Sequence, residues 1–213
     1  MYKVRALFQK GGTAKYISHL DLMQVFRRAF SRMGLRLCYS GGFHPHMQMN
    51  ILLPLSTGFS SQCEILELEL DATHLPDNFL YQLNRALPEG ITVTSLIDSD
   101  RAPKFIGAAE YEIYTELPAA VDAVTELFSR EELIVNKRTK RGHSDTNIIP
   151  LVKAFRAEQQ DEGMLLTVTV SQGNESLNPE YIIAAIEKYL ELSPAYTTYH
   201  RKEVFDTEGK VFR

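Results

Sequence analysis

The 213-residue sequence has only two cysteines, Cys38 and Cys63, and no apolar run approaching the roughly 18 residues that a membrane-spanning helix requires. Two cysteines exclude a disulfide scaffold, and structural zinc or iron–sulfur sites normally take four soft or imidazole ligands in close pairs. Combining both cysteines with His44 and His46 matches no common zinc spacing. We therefore predict reduced cysteines, no metal site and no bound cofactor.

The first residues also show no pattern that is typical of a targeting segment. Residues 1–5 alternate like a strand and lack the apolar core of a signal peptide. Without a targeting segment or a membrane span, the expected location is the cytoplasm. The length and the 44% hydrophobic content allow one large domain or two small ones with ordinary cores.

Acidic residues are scarce in the first quarter of the chain. Residues 1–50 contain eight Lys or Arg against one acid, Asp21, a balance of +7. Because the whole chain carries −4, residues 51–213 carry −11, interrupted by a second basic cluster at 137–141. Two separate basic clusters on an acidic protein favour a defined polyanion site over nonspecific coating. The alternative for each cluster is an ordinary solvated face.

The first basic cluster includes a helix with well-marked ends. Ser18 is a good N-cap residue, with Asp21 three residues later as a shorter version of the capping-box acid. Gly34 ends the helix as a left-handed cap. Apolar residues recur between them at helical spacing and predict a buried stripe. On the exposed side the sequence places three arginines that we expect to contact phosphates: Arg27, Arg28 and Arg32.

The rest of the first half alternates strands and helices. The predicted strands are Val4–Gln9, Leu35–Tyr39, Asn50–Leu55, Cys63–Leu70 and Ile91–Ile97, and the second helix spans Pro76–Leu87. This order is that of a ferredoxin-like split βαβ domain with an extra hairpin inserted.

The same order repeats after a linker that Asp, Pro and Gly residues predict at 98–107. The strands are Glu110–Glu116, Leu133–Lys137, Ile148–Glu158 (for which a helix fits equally well), Met164–Val170 and Thr197–Phe205, and the helices are Ala119–Arg130 and Asn178–Leu190. The expected fold class is α+β, with two tandem ferredoxin-like (split βαβ) domains with antiparallel sheets. They cover residues 1–100 and 108–213, and the second carries a basic turn at 137–143.

The segment Tyr39–His46 combines two glycines with two histidines. Adjacent glycines allow backbone amides to approach a ligand closely and to adopt positive φ, as phosphate-binding loops require. No Walker or dinucleotide fingerprint is present, and a plain hairpin or crossover turn is the alternative. Two histidines two positions apart point to the same face of an extended chain. The residues expected to contact a phosphate-bearing ligand are Gly41, Gly42, Phe43 and His44.

His19 lies in the first turn of the predicted helix, where an anion is favoured. If the glycine loop folds back over that end, the Ser18–Asp21 turn faces Gly42–His46; a local hydrogen-bonding role for His19 is the alternative. No Ser-His-Asp spacing, paired carboxylates or nucleophile elbow is present, so we expect no enzyme acting on its own. The catalytic residues, if there are any, are expected to be His46, His19 and Asp21.

Several ordered motifs resemble one known family. Lys15-Tyr16-Ile17-Ser18-His19-Leu20-Asp21-Leu22, Tyr39-Ser40, Gly42-Phe43, Pro45-His46, and Leu53-Pro54-Leu55 with Gly58 are similar to the radical SAM-linked bacterial proteins, a family of unassigned function (DUF2344-like). Its members occur beside a radical SAM enzyme or fused to one, which implies a partner role in that enzyme's reaction. The family commonly has Asn at the position of His44, which favours His46 over His44. This chain has no three-cysteine cluster, so it is not itself the radical SAM subunit.

The leading hypothesis is an RNA-binding or substrate-presenting accessory protein that offers a structured RNA to a radical SAM enzyme. In this hypothesis the second basic cluster also contacts phosphates, through Lys137, Arg138, Lys140 and Arg141. The alternatives are a histidine-dependent ribonuclease or RNA-modifying enzyme, and a protein-interaction scaffold that binds no nucleic acid. The layout is also similar to the CRISPR RNA-processing endonucleases, an analogy of fold alone.

Overall fold

A computed structural model describes residues 2–72, 74–139, 142–173 and 175–213. The chain divides into two compact units: unit 1 contains residues 1–103 and 213, and unit 2 contains residues 104–212. Antiparallel strand pairs and α-helices make up both units, so the predicted α+β class is confirmed.

Unit 1 has four strands and two α-helices in its described residues. They are β1 (Tyr2–Lys10), α1 (His19–Arg32), β2 (Met49–Leu52), β3 (Ser60–Leu70), α2 (Phe79–Ala86) and β4 (Ile91–Asp98). The strands lie in the order β4-β1-β3-β2, and each neighbouring pair is antiparallel.

The core of unit 1 follows from the side-chain periods of its elements, two residues in a strand and about 3.6 residues in a helix. Every second residue of β1, including Ala6 and Phe8, is buried beneath the apolar stripe of α1, where Phe26 meets Phe8 edge-to-face at 5.0 Å between ring centroids. The other face of β1 carries Lys3 and Arg5, which pair with carboxylate residues of β3. Unit 1 therefore has an apolar face under its helices and a charged face opposite.

The predicted ends of α1 are confirmed. The Ser18 hydroxyl oxygen accepts a hydrogen bond from the backbone N–H of Asp21 at 3.2 Å and donates to its carboxylate at 2.7 Å. At the other end Gly34 has φ +65°, and the N–H of Leu35 donates to the carbonyl of Phe30 at 3.0 Å. These caps need only residues within a few positions of one another.

The predicted strand Leu35–Tyr39 is wrong. This segment makes only isolated bridges, from Leu37 to Leu70 and from Tyr39 to Met47. The strand predicted at Asn50–Leu55 ends at Leu52 because Leu53 has φ +50°, which turns the chain away from β3. Within the described part of unit 1, the predicted extra hairpin therefore does not form. Residues 35–39 belong to a bridged loop, and residues 49–52 are the strand β2 of the sheet.

Unit 2 contains the remaining elements: β5 (Ile106–Glu116), α3 (Val121–Phe128), β6 (Ile134–Thr139), β7 (Gly142–Asn147), β8 (Val152–Gln160), β9 (Gly163–Ser171), α4 (Glu180–Leu190) and β10 (Tyr196–Asp206). Its main strands lie in the order β10-β5-β9-β8, again with antiparallel neighbours. Strands β6 and β7 form a separate hairpin.

The described residues of the predicted basic turn lie in the strands β6 and β7. Lys137 and Arg138 lie within β6, which extends further than predicted. The strand β7 has exposed polar residues at most positions, so no apolar alternation announced it in the sequence. Lys140 and Arg141 lie outside the described residues. The segment predicted at Ile148–Glu158 is mostly strand, as β8.

Candidate functional site

The glycine loop of unit 1 is closed at its base by hydrogen bonds between Ser40 and His46. The Ser40 N–H donates to the His46 carbonyl at 2.9 Å, and the His46 N–H donates to the Ser40 hydroxyl oxygen at 3.1 Å. That hydroxyl also lies 2.7 Å from Nδ1 of His46. With the bridge between Tyr39 and Met47, these bonds close residues 39–47 into one compact loop, named here the Phe43 loop.

The Phe43 loop presents aromatic rings to solvent. The Phe43 side chain at its tip is fully exposed, and Tyr39 at its base is 54% exposed. Gly42 has φ +105°, which favours glycine, whereas a Cβ on Gly41 would meet no atom within 4 Å. The glycines therefore shape the turn of the loop, and the loop holds an unburied phenylalanine on a constrained backbone.

A cleft of about 330 Å³ lies beside the Phe43 loop. His46, Lys3 and Asn50 line it together with Glu67 and Glu69. Two carboxylate residues in so small a cleft disfavour a phosphate there. His46 therefore lies beside carboxylate residues in a cleft, whereas the tip of its loop is fully exposed to solvent.

Glu67 belongs to a charged cluster on the face of β1 and β3 that lies opposite the helices. The guanidinium of Arg5, which is fully buried, donates to one Glu67 oxygen from Nε at 3.1 Å and from Nη2 at 2.9 Å. Arg5 also donates to the carbonyl of Arg213 at 2.7 Å and to that of Arg101. The hydroxyl of Ser99 donates to the same Glu67 oxygen at 2.7 Å.

The pKa of Glu67 is lowered. Burial by itself raises this pKa, but the hydrogen bonds from Ser99 and Arg5 and the positive charges of Arg5 and Lys3 outweigh it. A carboxyl with a lowered pKa in the folded state stabilises the fold above its unfolded pKa, and that contribution disappears as the pH falls through the folded pKa.

We therefore expect unit 1 to lose stability as the pH falls below the ordinary glutamate value of about 4.3, and Glu67→Gln to flatten that dependence. Urea denaturation of both proteins between neutral and acid pH measures the effect. Parallel pH profiles for the wild type and Glu67→Gln would show that Glu67 is not responsible.

The N-terminus of α1 lies at the opposite end of the sheet from the His46 cleft. The Lys10 ammonium donates to the carbonyl of Ile17 at 3.4 Å, which places the following His19 near the Lys10 end of β1. The His46 cleft includes Lys3, near the start of β1. From position 3 to position 10 a strand extends about 23 Å.

The predicted meeting of the Ser18–Asp21 turn with Gly42–His46 is therefore wrong. Strand β1 carries the chain to one end of the sheet, and α1 returns it to the other before the Phe43 loop begins. Nδ1 of His19 is buried without a hydrogen-bond partner among the described residues, whereas Nδ1 of His46 pairs with Ser40. The two histidines do not form an acid–base pair.

The arginines of α1 differ in their surroundings. Arg28 and Arg32 are exposed, and Arg27 is half-buried. The guanidinium of Arg32 donates to the carbonyl of Ala86, the last residue of α2. Arg36 is also exposed, only three residues before the start of the Phe43 loop. Exposed positive charges thus continue along the chain from the C-terminal half of α1 almost to the start of that loop.

Sequence reasoning missed an aromatic and a cation on α2. Tyr81 is 64% exposed, and the Arg85 guanidinium lies 5.8 Å from the centre of its ring. Their spacing of four residues, the distance of neighbours on a helix face, was the available signal. Helix α2 therefore displays a further exposed ring with an arginine beside it.

In unit 2, hydrogen bonds join the β6–β7 hairpin to α4. The backbone N–H groups of Arg138 and Ile134 donate to the hydroxyls of Tyr181 and Tyr189 at 2.8 and 2.9 Å. The Lys188 ammonium donates to the Ile134 carbonyl at 2.8 Å. Side chains of α4 thus supply hydrogen-bond partners for backbone groups at the outer edge of β6. These bonds orient the hairpin.

A cleft of about 1150 Å³ is lined by residues of this hairpin and of the start of α4. Lys137 and Arg138 line it, but so do Glu175 and Glu180. The Lys137 ammonium also donates to the carbonyl of Ser176. The described cations of the hairpin therefore share their cleft with carboxylate residues.

Among the residues that the structure describes, no group of three or more His, Cys, Asp or Glu side chains is arranged to hold a metal ion. Cys38 and Cys63 are not joined by a disulfide bond. No described helix is long and apolar enough to cross a membrane.

A family model described as an uncharacterized protein conserved in bacteria (DUF2344) matches residues 3–179. The chain belongs to this family. The matched range includes the Phe43 loop, all of α1 and α2, and the basic hairpin, so this DUF2344 protein shares with its relatives the segments described above. The family description names neither a reaction nor a partner.

No curated protein matches the DUF2344 chain. A solved structure of a Cbf5–Nop10–Gar1 complex contains a similar chain, with 12% identity and a TM-score of 0.51 over 95% of this chain. The match covers 49% of that chain, so the DUF2344 protein spans about half its length. An unknown protein from Galdieria sulphuraria matches with 16% identity over 94% of this chain and 98% of its own, at a TM-score of 0.28. The first likeness concerns the fold alone, and the second is too weak to support an argument.

Proposed function

We propose that this DUF2344 protein is an RNA-binding accessory protein whose unit 1 grips unpaired RNA with the Phe43 loop and the arginines of α1. The observation that carries the proposal is the fully exposed Phe43 on a loop closed by Ser40 and His46. A large apolar side chain held in water on a constrained loop is the arrangement of a binding residue.

Base stacking is a suitable use for such a ring. Every base has an aromatic face, and stacking on a protein side chain contributes about 1–3 kcal/mol per base. Because hydrogen bonds already constrain the loop, binding costs less conformational entropy than it would for a flexible segment.

The charges of α1 and of the segment that follows it favour a polyanion. Arg28 and Arg32 are exposed on α1, Arg36 is exposed three residues before the Phe43 loop, and Arg32 links α1 to the last turn of α2. On α2, Tyr81 and Arg85 offer a further exposed ring with a cation. Cations interleaved with exposed rings suit a single-stranded nucleic acid, which presents phosphates and bases together.

We also propose that each unit is a ferredoxin-like split βαβ domain. The order β4-β1-β3-β2 in unit 1 and the corresponding order β10-β5-β9-β8 in unit 2 support this. In unit 2 the β6–β7 hairpin is then an insertion between the first helix and the second strand.

A radical SAM enzyme as the partner, and a cytoplasmic location, are part of the same proposal. The support for the partner is the resemblance of the Lys15–Leu22 and Tyr39–His46 motifs to radical SAM-linked proteins. The RNA held by unit 1 would then be the substrate that the partner modifies.

Titration of fluorescent single-stranded RNA with the purified protein tests RNA binding. With about three arginine–phosphate contacts, we expect the logarithm of the association constant to fall with the logarithm of salt concentration at a slope of about −2. Absent or salt-independent binding would contradict the proposal.

The same samples distinguish the other functions. RNA shortened by the wild type but not by His46→Ala would indicate the ribonuclease alternative. A complex with the partner enzyme that forms without any RNA affinity would indicate a protein-interaction scaffold.

A further inference from the structure

A third cleft, of about 860 Å³, lies in unit 2 where β5 begins and where β9 and β10 end. We call it the strand-end cleft. Ala108 of β5 pairs with Ser171 of β9 on one side and with Phe205 of β10 on the other. Directly paired residues of antiparallel strands point to the same face of a sheet, so these three side chains line one side of the cleft.

Tightly packed backbone shapes this end of the sheet. A Cβ on Gly107 would lie 2.8 Å from the Cα of Thr207, and a Cβ on Gly173 would lie 2.9 Å from the carbonyl oxygen of Ile106. The Gly107 carbonyl accepts a hydrogen bond from the N–H of Gln172 at 2.9 Å. Glycine and alanine thus leave a depression between larger neighbours, and the surrounding loops are held by backbone contacts.

The cations of the strand-end cleft are available to a ligand. Lys104 and Lys153 are exposed at its rim, and the Lys153 ammonium uses one donor on the carbonyl of Pro150 at 3.2 Å. Two carboxylate residues, Glu175 and Asp206, also belong to the lining. Glu175 is exposed, and Asp206 is turned into its own loop, where one oxygen accepts the N–H groups of Glu208 and Lys210 at 2.7 and 3.0 Å.

The remaining lining combines hydroxyl groups with an aromatic ring. Thr169 and Ser171 line the cleft from β9, and Phe205 adds an apolar surface. A ligand that matches these features has an anionic group for the lysines, hydroxyls for the threonine and serine, and a flat apolar part. The volume is within the range of about 300–1,000 Å³ that is usual for small-molecule sites.

We propose that the strand-end cleft binds a nucleoside monophosphate, with the phosphate at Lys104 and Lys153, the ribose at Thr169 and Ser171, and the base against Phe205. This site lies wholly in unit 2, and none of its residues belongs to the proposed RNA surface of unit 1. The inference therefore goes beyond the proposed RNA function and does not depend on it.

Isothermal titration of the full chain with AMP, GMP, CMP and UMP tests the proposal, with inorganic phosphate and adenosine as partial ligands. We expect at least one monophosphate to bind more tightly than phosphate or adenosine. Lys104→Glu and Lys153→Glu should each weaken that binding about tenfold or more. Ala108→Leu, which fills the space between Ser171 and Phe205, should weaken it further.

Arg156→Glu is the matched control, because Arg156 is an exposed cation of the same unit outside the cleft lining. It should leave nucleotide affinity within about twofold of the wild type. Failure of all four monophosphates to bind would overturn the proposal, and so would phosphate binding as tightly as the nucleotides or equal weakening by Arg156→Glu. Phe43→Ala should leave nucleotide binding unchanged, so failure of the RNA proposal is a separate result.

Discussion

Phe43→Ala is expected to weaken the binding of single-stranded RNA by about 10- to 100-fold without altering the fold. The magnitude is that of losing one base stack, about 1–3 kcal/mol. The fold should be unaffected because the Phe43 side chain is fully exposed. Fluorescence anisotropy with a labelled oligonucleotide measures the affinity, and circular dichroism checks the fold.

Tyr16→Ala provides the matched control. Tyr16 is another exposed aromatic of unit 1, at 64%, but it lies near the N-terminus of α1, at the far end of the sheet from the Phe43 loop. Its removal should change RNA affinity by less than about threefold. Equal losses for the two variants would mean that the Phe43 loop is not the stacking site.

Two further variants separate stacking from charge. Phe43→Tyr should retain most of the affinity because the ring remains. Arg28→Glu should weaken binding mainly at low salt and make the salt dependence shallower. Arg28 is a better probe than Arg32, since Arg32 also holds the end of α2 through Ala86.

Arg5→Met is expected to lower the free energy of unfolding by about 3–5 kcal/mol, the usual cost of removing one partner of a buried ion pair. The Arg5 side chain is fully buried and donates to Glu67 and to two backbone carbonyls. Its removal leaves these acceptors without their donor in a position that water reaches poorly. Urea denaturation measures the loss.

Lys3→Met is the control on the same carboxylate. The Lys3 ammonium lies 3.8 Å from Glu67, but its side chain is 56% exposed, so the expected cost is below about 1 kcal/mol. A double variant, Arg5→Met with Glu67→Met, should recover part of the loss because no charge is then left unpaired. If Arg5→Met cost no more than Lys3→Met, the buried ion pair would not be a major contributor to stability.

Sequence reasoning was correct for α1 because its caps are local. The Ser18 hydroxyl reaches a backbone group three residues away, and Gly34 is required by its own backbone conformation. The strand β3 was equally accessible, because its alternating residues encode which face is buried. Sequence reasoning failed for β7. Its polar residues show no alternation with apolar ones, and the strand forms by pairing with β6.

The features of the candidate site also divide into those that the sequence encodes locally and those that depend on tertiary contacts. The exposed arginines and the position of the glycine loop could be predicted, because helical spacing and turn chemistry act over a few residues. The pairing of Tyr81 with Arg85 is also encoded locally, by their spacing of four residues on a helix. The strand-end cleft could not be predicted, because its lining comes from the ends of strands far apart in the chain.

By itself the sequence determined the α+β class, the ends of α1, the two basic clusters and the membership of a bacterial family. Tertiary structure decided which of these features are neighbours. It separated His19 from His46, because a strand and the helix that follows it carry the chain to one end of a sheet and back. It also joined Ser40 to His46 and left Phe43 in solvent, since the closure of that loop depends on atoms that meet only after the chain has turned.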